Sequence, residues 1–347
     1  MNRKSQLPSP QKFPLLISQL TRSSRRATIL LAAVKRGMFE ALAQSESTGT
    51  SEGFTAARVA ETLRLDGRAT EIVLNALAGM KFVRKRGERF RNTPFSRRYL
   101  VSSSPRNILG ILVHFGNLAK AWAGLDDVLV SGKPYWDTAL QRGRRERSAA
   151  VFARAMYDIG RGVAEKLAAQ IDLSGCKSLI DIGGSNGVFS YFFCRRYGGL
   201  KAVVFDLPGI IVETKKYLRR YAMGRRIRAV AGDYTTGELP GRHDAALVSH
   251  VLHAEGEDGC RQLVASVYGC LNPGGLIIVR DFLLDKSRTS PGGAAVFAVN
   301  MLINTTAGRS YTRGEVTRWL KETGFQKVRL LGPSDENGAL VLTARKP

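Results

Sequence analysis

The chain has 347 residues, of which 44% are hydrophobic, which fits two globular domains with cores of their own and excludes wholesale disorder. Lys and Arg number 53 against 29 Asp and Glu, so the formal charge is +24 and an anionic partner is expected: nucleic acid, a membrane surface or an acidic small molecule. Apolar runs stay well short of the roughly 18 residues that span a bilayer, so no membrane-spanning helix is predicted.

The N-terminus and the cysteines predict the cellular compartment. Residues 1–19 are basic and contain prolines, but they have no continuous apolar segment of signal-peptide length. The four cysteines, Cys176, Cys194, Cys260 and Cys270, lack the C-x-x-C spacing of zinc and redox sites. We therefore expect reduced, mostly buried thiols in a cytoplasmic protein, with no metal site and no disulfide.

The N-terminal half is predicted to be mainly helical, because its apolar residues recur three and four positions apart. Within it, two short helices, a turn and a basic hairpin resemble a winged helix-turn-helix. The predicted segments are a helix at 29–43, a helix from 54 to 63, a turn at 65–67, a helix to about 80, a hairpin at 82–91, and helices at 108–130 and 147–171.

From residue 177 onward, short apolar strands alternate with helical segments. This alternation predicts a parallel, doubly wound, Rossmann-like sheet, in which ligands bind beyond the carboxyl ends of the strands. The fold class is thus α/β, preceded by a mainly helical winged-helix domain, with domains at 1–160 and 161–347. The predicted strands are 178–181, 202–206, 228–231, 244–249 and 276–281.

Acidic residues follow three successive predicted strands. Asp181 begins a Gly-rich turn that contains Gly183 and Gly184 and matches neither a P-loop nor the G-x-G-x-x-G of dinucleotide sites. Asp206 lies 25 residues further on, where a carboxylate can accept both hydroxyls of a ribose, and Asp233 lies within reach of an adenine edge. Three acids would repel phosphates, so they predict a nucleoside ligand without phosphates, and S-adenosylmethionine is the expected cofactor.

Six segments in order carry a resemblance to a known family: LIDIGGSNG, VVFDLPG, AGDY, LVSHVLHAEGEDGC, LNPGGLIIVRDFLL and AGRSYTRGEVTRWLKETGF. The chain resembles the small-molecule O-methyltransferases of the caffeic acid and hydroxyindole type over nearly its whole length. Those enzymes have an N-terminal winged-helix dimerisation domain, so the resemblance implies a homodimer. It also implies a cofactor site made of Asp181, Gly183, Gly184, Asp206, Leu207, Asp233, Tyr234 and Ser249.

The resemblance also implies a catalytic pair. A neutral hydroxyl is a poor nucleophile until a base draws off its proton. His253 occupies the position of the family's catalytic histidine, and Asp281, 28 residues later, matches an acid that orients it. His253 is therefore the expected general base, with Asp281 as its partner, while His250 is expected to be structural.

Two departures from the family pattern keep alternatives open. Ala254 and Glu255 follow the histidine where the family usually has Asp-Trp, and Ser310 replaces a second acid. One of two orienting carboxylates is therefore expected to be missing. C-methylation, another chemistry on the same fold, and a non-catalytic cofactor-binding protein remain as alternatives to O-methylation.

The acceptor is expected to bind between helices that flank the sheet, and the positive charge of the chain favours an anionic acceptor. Aromatic and Met side chains suit a flat, apolar molecule, although ordinary helix packing would account for several of them equally well. The predicted pocket residues are Trp122, Phe152, Met156, Tyr157, Phe297, Met301 and Asn304.

A winged helix in a basic protein also suggests DNA binding. In the predicted recognition helix, residues 67–80, Arg68 and Asn75 are the side chains able to read base edges. The other residues predict a helix buried on nearly all sides, as a dimer interface needs. We therefore expect no sequence-specific nucleic-acid binding, whereas the basic hairpin could still contact phosphates.

Overall fold

The computed structural model describes residues 12–47, 53–136 and 138–347. Residues 1–11 belong to the N-terminal segment in which no signal peptide is predicted, and they lie outside the described residues. Contacts divide the chain into one unit that ends at Asn117 and a second that runs from Leu118 to Pro347. The expected boundary after residue 160 differs from this division. It falls inside a long helix, α8 (Thr138–Gln170), which packs against helices of the second unit.

The first unit contains the winged helix-turn-helix that the sequence predicts. A three-stranded sheet in the order β1-β3-β2 holds the wing, and Phe54 of β1 pairs with Phe90 of β3. Thr55 and Asp66 cap the two helices of the motif. The elements are α1 (Phe13–Lys35), α2 (Met38–Ser47), β1 (Phe54–Thr55), α3 (Ala56–Leu63), α4 (Gly67–Gly79), β2 (Val83–Arg86), β3 (Arg89–Asn92) and α5 (Pro94–Tyr99).

Two helices predicted as continuous are each divided at a glycine. Gly37, at φ +74°, separates α1 from α2 within the predicted helix at 29–43. Gly124 separates α6 (Leu109–Ala123) from α7 (Leu125–Ser131) within the predicted helix at 108–130. A Cβ at Gly124 would lie 2.1 Å from the ring of Tyr135, so the chain approaches too closely there for any larger residue.

Helix α4 corrects the expectation of burial on nearly all sides. Within the single chain one face is buried, through Thr70, Leu74 and Leu77, while Ile72 is 53% exposed. Asn75, one of the two candidate base-reading residues, accepts a hydrogen bond of 3.0 Å from Lys85 of the wing. The helix is therefore amphipathic, and the exposed Ile72 side chain is available for contacts with another chain.

The second unit is a seven-stranded sheet in the order β6-β5-β4-β7-β8-β10-β9. The five predicted strands are all present and parallel, as expected, and the sheet also contains β10, which runs antiparallel to both of its neighbours. The last two strands form a hairpin across 331–339, which brings β10 back in the opposite direction. The strands are β4 (Ser178–Ile182), β5 (Lys201–Asp206), β6 (Ile227–Ala231), β7 (His243–Ser249), β8 (Leu271–Asp281), β9 (Gln326–Leu330) and β10 (Leu340–Arg345).

Helices cover both faces of this sheet because successive strand residues point to opposite sides. Ile180 and Ile182 join one buried cluster, whereas Leu179 joins the cluster on the other face. The parallel strands thereby end at one common edge, where their connections to the next helices begin. The remaining helices are α9 (Val188–Arg196), α10 (Pro208–Tyr221), α11 (Glu257–Cys270), α12 (Gly292–Asn304) and α13 (Arg313–Glu322).

The cysteines lie mostly in the interior of the protein. All four cysteines are unpaired, and three of them are buried. Burial raises the pKa of the Cys260 thiol to about 12, so this thiol stays protonated and unreactive at neutral pH. Among the described residues, no helix combines the length and the apolar character that crossing a bilayer requires.

Removing the N-cap of α4 should destabilise the first unit. Asp66 accepts a hydrogen bond of 2.7 Å from the Ala69 N–H, so Asp66→Ala should lower the free energy of unfolding by about 1 kcal/mol. Asp66→Asn keeps a capping oxygen and should stay close to the unmodified protein. Urea unfolding followed by circular dichroism measures both, and an equal loss in the two variants would assign the effect to charge instead of capping.

Candidate active site

The Gly-rich turn between β4 and α9 begins the site. Gly183 has φ +64° and donates its N–H to the Phe205 carbonyl at 2.8 Å. A Cβ at Gly183 would lie 2.9 Å from Val251, and one at Gly184 would lie 2.7 Å from the Asp181 carboxyl carbon. Both positions therefore require glycine, which allows the turn to pass close to the end of β4 and leaves its backbone accessible.

Asp181 is turned into the protein. Its side chain is 1% exposed and accepts a hydrogen bond of 2.8 Å from the Ser190 hydroxyl of α9. Burial raises the pKa of Asp181 to about 7, against the opposing effect of the Ser190 hydrogen bond. The carboxyl group thus joins β4 to α9. Because it is turned inward, the Gly-rich turn would contact a cofactor through its backbone and not through the Asp181 side chain.

Asp206, at the end of β5, lies beside the same turn. One carboxylate oxygen accepts the Ser185 N–H at 2.9 Å and the other accepts the Leu207 N–H at 2.7 Å. Burial raises the pKa of Asp206, while these two hydrogen bonds act in the opposite direction. Leu207, which is 38% exposed, begins α10 directly after it. The carboxylate is thereby held in one orientation, and each oxygen keeps a second lone pair.

Asp233 and Tyr234 follow β6, the edge strand. Asp233 is exposed, and one of its oxygens accepts hydrogen bonds from the N–H and the hydroxyl of Thr235, at 2.9 and 2.7 Å. The Tyr234 hydroxyl donates to the Glu255 carboxylate at 2.8 Å. Glu255, which departs from the family pattern, therefore connects the β6 end to the loop that carries His253.

Ser249, at the end of β7, accepts a hydrogen bond of 3.3 Å from Arg280 of β8. Arg280 is 1% exposed and pairs with Asp335, with 2.6 Å between its Nη2 and a carboxylate oxygen. Its guanidinium also lies 5.4 Å from the Phe189 ring centroid. A buried, paired arginine thus supports the ends of β7 and β8, on the face of the sheet opposite to Asp281.

The two predicted catalytic residues are in contact. His253 lies in a short 3₁₀ helix after β7, and its Nδ1 is 2.7 Å from Oδ1 of Asp281, the last residue of β8. The His253 N–H also donates to Asp281 Oδ2 at 3.3 Å. Burial alone would raise the pKa of Asp281, but the charge of His253, its hydrogen bond and the contact with the His250 ring outweigh it and hold this pKa well below its usual range. Asp281 is therefore ionised and fixes the orientation of the His253 ring.

Ser310, which replaces the family's second acid, is directed elsewhere. It is 3% exposed and donates its hydroxyl to the Ala294 carbonyl of α12 at 2.8 Å. The expectation that His253 has a single orienting carboxylate fits this geometry. The side chain of Ser310 instead ties α12 to the loop before α13.

One face of α12 contributes to the predicted acceptor pocket. The Phe297 ring packs edge-on against His253, with 4.8 Å between ring centroids. The Trp122 indole N–H and the Asn304 amide both donate to Asn300 Oδ1 at 3.2 Å. Met301, which is 7% exposed, lies in the same helix. Since Phe297, Asn300 and Asn304 recur at helical spacing, α12 presents an aromatic ring and an ordered amide on one face.

The three predicted pocket residues of α8 have different surroundings. Phe152 is 37% exposed and Met156 is half-buried, in the part of α8 whose Ala153 carbonyl accepts a hydrogen bond of 3.0 Å from Asn186 of the Gly-rich turn. Tyr157 instead stacks with Tyr217 of α10, with 5.4 Å between their ring centroids. This ring thus packs α8 on α10, and the place of Tyr157 in the acceptor pocket stays a prediction.

Three residues of the site were missed or undervalued by sequence reasoning. Asn186 is 1% exposed and joins the turn to α8. Phe282 stacks on Phe297, with 4.3 Å between ring centroids. His250, expected to be structural, lies with its Nδ1 3.6 Å from Asp281 Oδ1. The repeated histidine at a spacing of three residues was the signal that could have found it.

His250, His253 and Asp281 are residue types that can bind a metal ion. Ligand atoms of His250, His253 and Asp281 lie within 4.8 Å of one another, a spacing that could accommodate a metal ion. Because His253 and Asp281 are already joined by a hydrogen bond of 2.7 Å, the cluster is accounted for without a metal.

Known protein families match both parts of the chain. The family profile of the O-methyltransferase domain matches residues 122–326, and that of the O-methyltransferase dimerisation domain matches residues 18–102. The 3-hydroxy-5-methyl-1-naphthoate 3-O-methyltransferase of Streptomyces sahachiroi is 31% identical over 329 residues, covering 93% of this chain and 92% of the relative. The N,N-dimethyltransferase OxyT of Streptomyces rimosus is 30% identical over 280 residues, covering 78% of this chain and 79% of that protein.

Among solved structures, human N-acetylserotonin methyltransferase in complex with SAM matches with a TM-score of 0.82 at 25% identity, covering 100% of this chain and 99% of that one. These matches confirm the resemblance, the fold class and the enzyme class that the motifs predicted. The chain belongs to the family of S-adenosylmethionine-dependent O-methyltransferases, with a dimerisation domain followed by an α/β catalytic domain.

Proposed function

We propose that this protein transfers the methyl group of S-adenosylmethionine to a hydroxyl of a small aromatic or conjugated acceptor, with His253 as general base. The observation that carries the proposal is the hydrogen bond of 2.7 Å between His253 Nδ1 and the buried Asp281 carboxylate. We further propose that it acts as a homodimer, supported by the match to the dimerisation domain, and in the cytoplasm, supported by four unpaired cysteines.

The strand-end residues fit the cofactor. Asp206 offers an oriented carboxylate suited to ribose hydroxyls, and the exposed Asp233 lies beyond the neighbouring strand. The backbone of Gly183 and Gly184 is accessible where side chains would be excluded. When bound there, S-adenosylmethionine supplies an electrophilic methyl group on a positively charged sulfonium.

His253 is suited to accept the proton of the acceptor hydroxyl on Nε2. Asp281 engages Nδ1, so the ring is held with its proton on Nδ1 and its lone pair on Nε2. Since Asp281 is 2% exposed and ionised, it also stabilises the imidazolium that forms when the proton is taken up. Phe297 and Phe282 border the ring and reduce its contact with water.

For the acceptor, α12 supports a molecule with a flat ring and an oxygen substituent. Two donors, from Trp122 and Asn304, converge on Asn300 Oδ1 and fix the orientation of this amide. An indole N–H can only donate, so the atom of Asn300 that faces Trp122 must be the oxygen and not the nitrogen. The NH₂ group of Asn300 then points away from Trp122 and can donate to an acceptor. An acceptor with a carboxylate or carbonyl oxygen matches such a donor, and the formal charge of +24 favours an anionic one.

Cofactor binding tests the role of Asp206. We expect S-adenosylhomocysteine to bind the unmodified protein and to bind Asp206→Ala at least tenfold more weakly, because the variant loses hydrogen bonds to a charged group. Isothermal titration calorimetry measures both.

The matched control is Asp172→Ala, which removes an exposed carboxylate before β4, at the opposite edge of the sheet. It should bind like the unmodified protein. Absence of binding to the unmodified protein, or equal affinities for the Asp206 and Asp172 variants, would overturn the cofactor assignment.

Removing the base tests the role of His253. His253→Ala should reduce kcat by roughly 10²–10⁴, because proton removal by a positioned base contributes about that factor, while the affinity for S-adenosylhomocysteine stays unchanged. Single-turnover methyl transfer with an active phenol measures the chemical step. His243→Gln, at the start of β7, is the control and should keep its turnover; equal turnover in the two variants would assign the base elsewhere.

A matched pair of acceptors tests the proposed acceptor class. 3-Hydroxy-1-naphthoate should be methylated with a higher kcat/KM than 2-naphthol, which has the same rings and hydroxyl but no carboxylate. The advantage should shrink as salt rises from about 0.02 to 0.5 M, because salt screens the positive surface. Mass spectrometry and NMR of the product locate the new methyl group, and methylation of carbon, or a preference for 2-naphthol, would contradict the proposal.

A further inference from the structure

His250 is a buried titratable residue that the proposed mechanism does not use. It follows β7 directly, and its backbone N–H donates to the Arg280 carbonyl at 2.8 Å. Its φ is +58°, a left-handed conformation that is unfavourable for a residue with a Cβ. In this conformation the imidazole ring of His250 faces the end of β8.

The ring of His250 lies beside the catalytic pair. Its Nδ1 is 3.6 Å from Asp281 Oδ1, the same oxygen that His253 Nδ1 approaches to 2.7 Å. The ring also packs against Phe282 at a tilt of 40°, with 4.5 Å between centroids, and lies 5.7 Å from the His253 ring. Two imidazoles from one loop therefore face a single carboxylate oxygen.

The protonation of His250 follows from its surroundings. Burial, and next the charge of Arg280, lower the pKa of His250 to about 4, against the opposing effect of Asp281. At neutral pH the ring is therefore uncharged and carries one N–H. Its Nδ1 is buried without a hydrogen-bond partner within 3.5 Å among the described residues, and an oxygen of the ionised Asp281 carboxylate lies 3.6 Å away. A proton on Nδ1 makes the 3.6 Å contact with Asp281 Oδ1 attractive, whereas a bare lone pair there would be repelled.

We propose that His250 is a positioning residue for methyl transfer, which donates its Nδ1–H to Asp281 Oδ1 and so holds this carboxylate against His253. The family's second acid is replaced by Ser310, which donates its hydroxyl to α12 instead. His250 therefore supports Asp281, the carboxylate that orients His253. The contact of 3.6 Å is slightly longer than a hydrogen bond, as catalytic contacts often are before ligands bind. The functional half of this inference rests on the proposed role of His253 as base.

The tautomer of His250 tests the contact itself, independently of activity. The chain has only four histidines, so protein labelled with ¹⁵N in the imidazole rings gives a spectrum that can be assigned. Two-bond ¹H–¹⁵N correlation at pH 7, with a chelator to exclude metals, should show His250 protonated on Nδ1 and not on Nε2. His250→Asn identifies the signal by removing it. Protonation of His250 on Nε2 would overturn the proposal, whatever the activity.

Two substitutions test the positioning role. Asn and Gly both tolerate a positive φ, but only Asn offers an N–H donor near the place of Nδ1. His250→Asn should keep kcat within about twofold, whereas His250→Gly should lose about tenfold, with the acceptor KM and the affinity for S-adenosylhomocysteine unchanged.

Outcomes of these experiments separate the two proposals. Equal kcat values for the Asn and Gly variants, or a loss in cofactor affinity instead of kcat, would reduce His250 to a packing residue and overturn the positioning role. If His253→Ala keeps its turnover, the base assignment fails, and the positioning role fails with it even when His250 carries its proton on Nδ1. Thermal unfolding of both His250 variants checks that they remain folded.

Discussion

The hydrogen bond between His253 and Asp281 is the interaction on which the rest of the site depends. A carboxylate that is 2% exposed stays ionised only when hydrogen bonds and an opposing charge offset its burial. The parallel pairing of β7 with β8 brings the two residues together, because both strands end at the same edge. Arg280 and Asp281 are consecutive residues that face opposite sides, so a buried ion pair anchors one face while the contact with His253 forms on the other.

The cofactor edge and the rest of the molecule have opposite electrostatic character. The chain carries a formal charge of +24, yet Asp206 ends β5 and Asp233 follows β6, its neighbour in the sheet. Such an edge disfavours phosphates and suits a ligand that contains ribose and a cationic sulfur. The excess of Lys and Arg therefore belongs to the remaining surface, where it is compatible with the proposed anionic acceptor and says little about DNA.

Much of the fold could be predicted from the sequence, because strand and helix periods and glycine turns are local signals. The five parallel strands and the winged helix are present as expected. Two parts were harder. Gly37 and Gly124 look tolerable within helices but divide them, since the chain at Gly124 must pass close to Tyr135. The antiparallel β10 was missed, because its place in the sheet depends on pairing with β8, about sixty residues earlier.

By itself the sequence determined the family, the order of the strand-end acids and the pairing of His253 with Asp281, since each is encoded in motifs of a few residues. Only the tertiary structure decided where the side chains point. Asp181 turns inward to α9, Tyr157 packs on α10, and His250 faces the same carboxylate oxygen as His253. The physical reason is that the direction of a side chain depends on burial and on partners supplied by distant elements, and neighbours in sequence do not specify it.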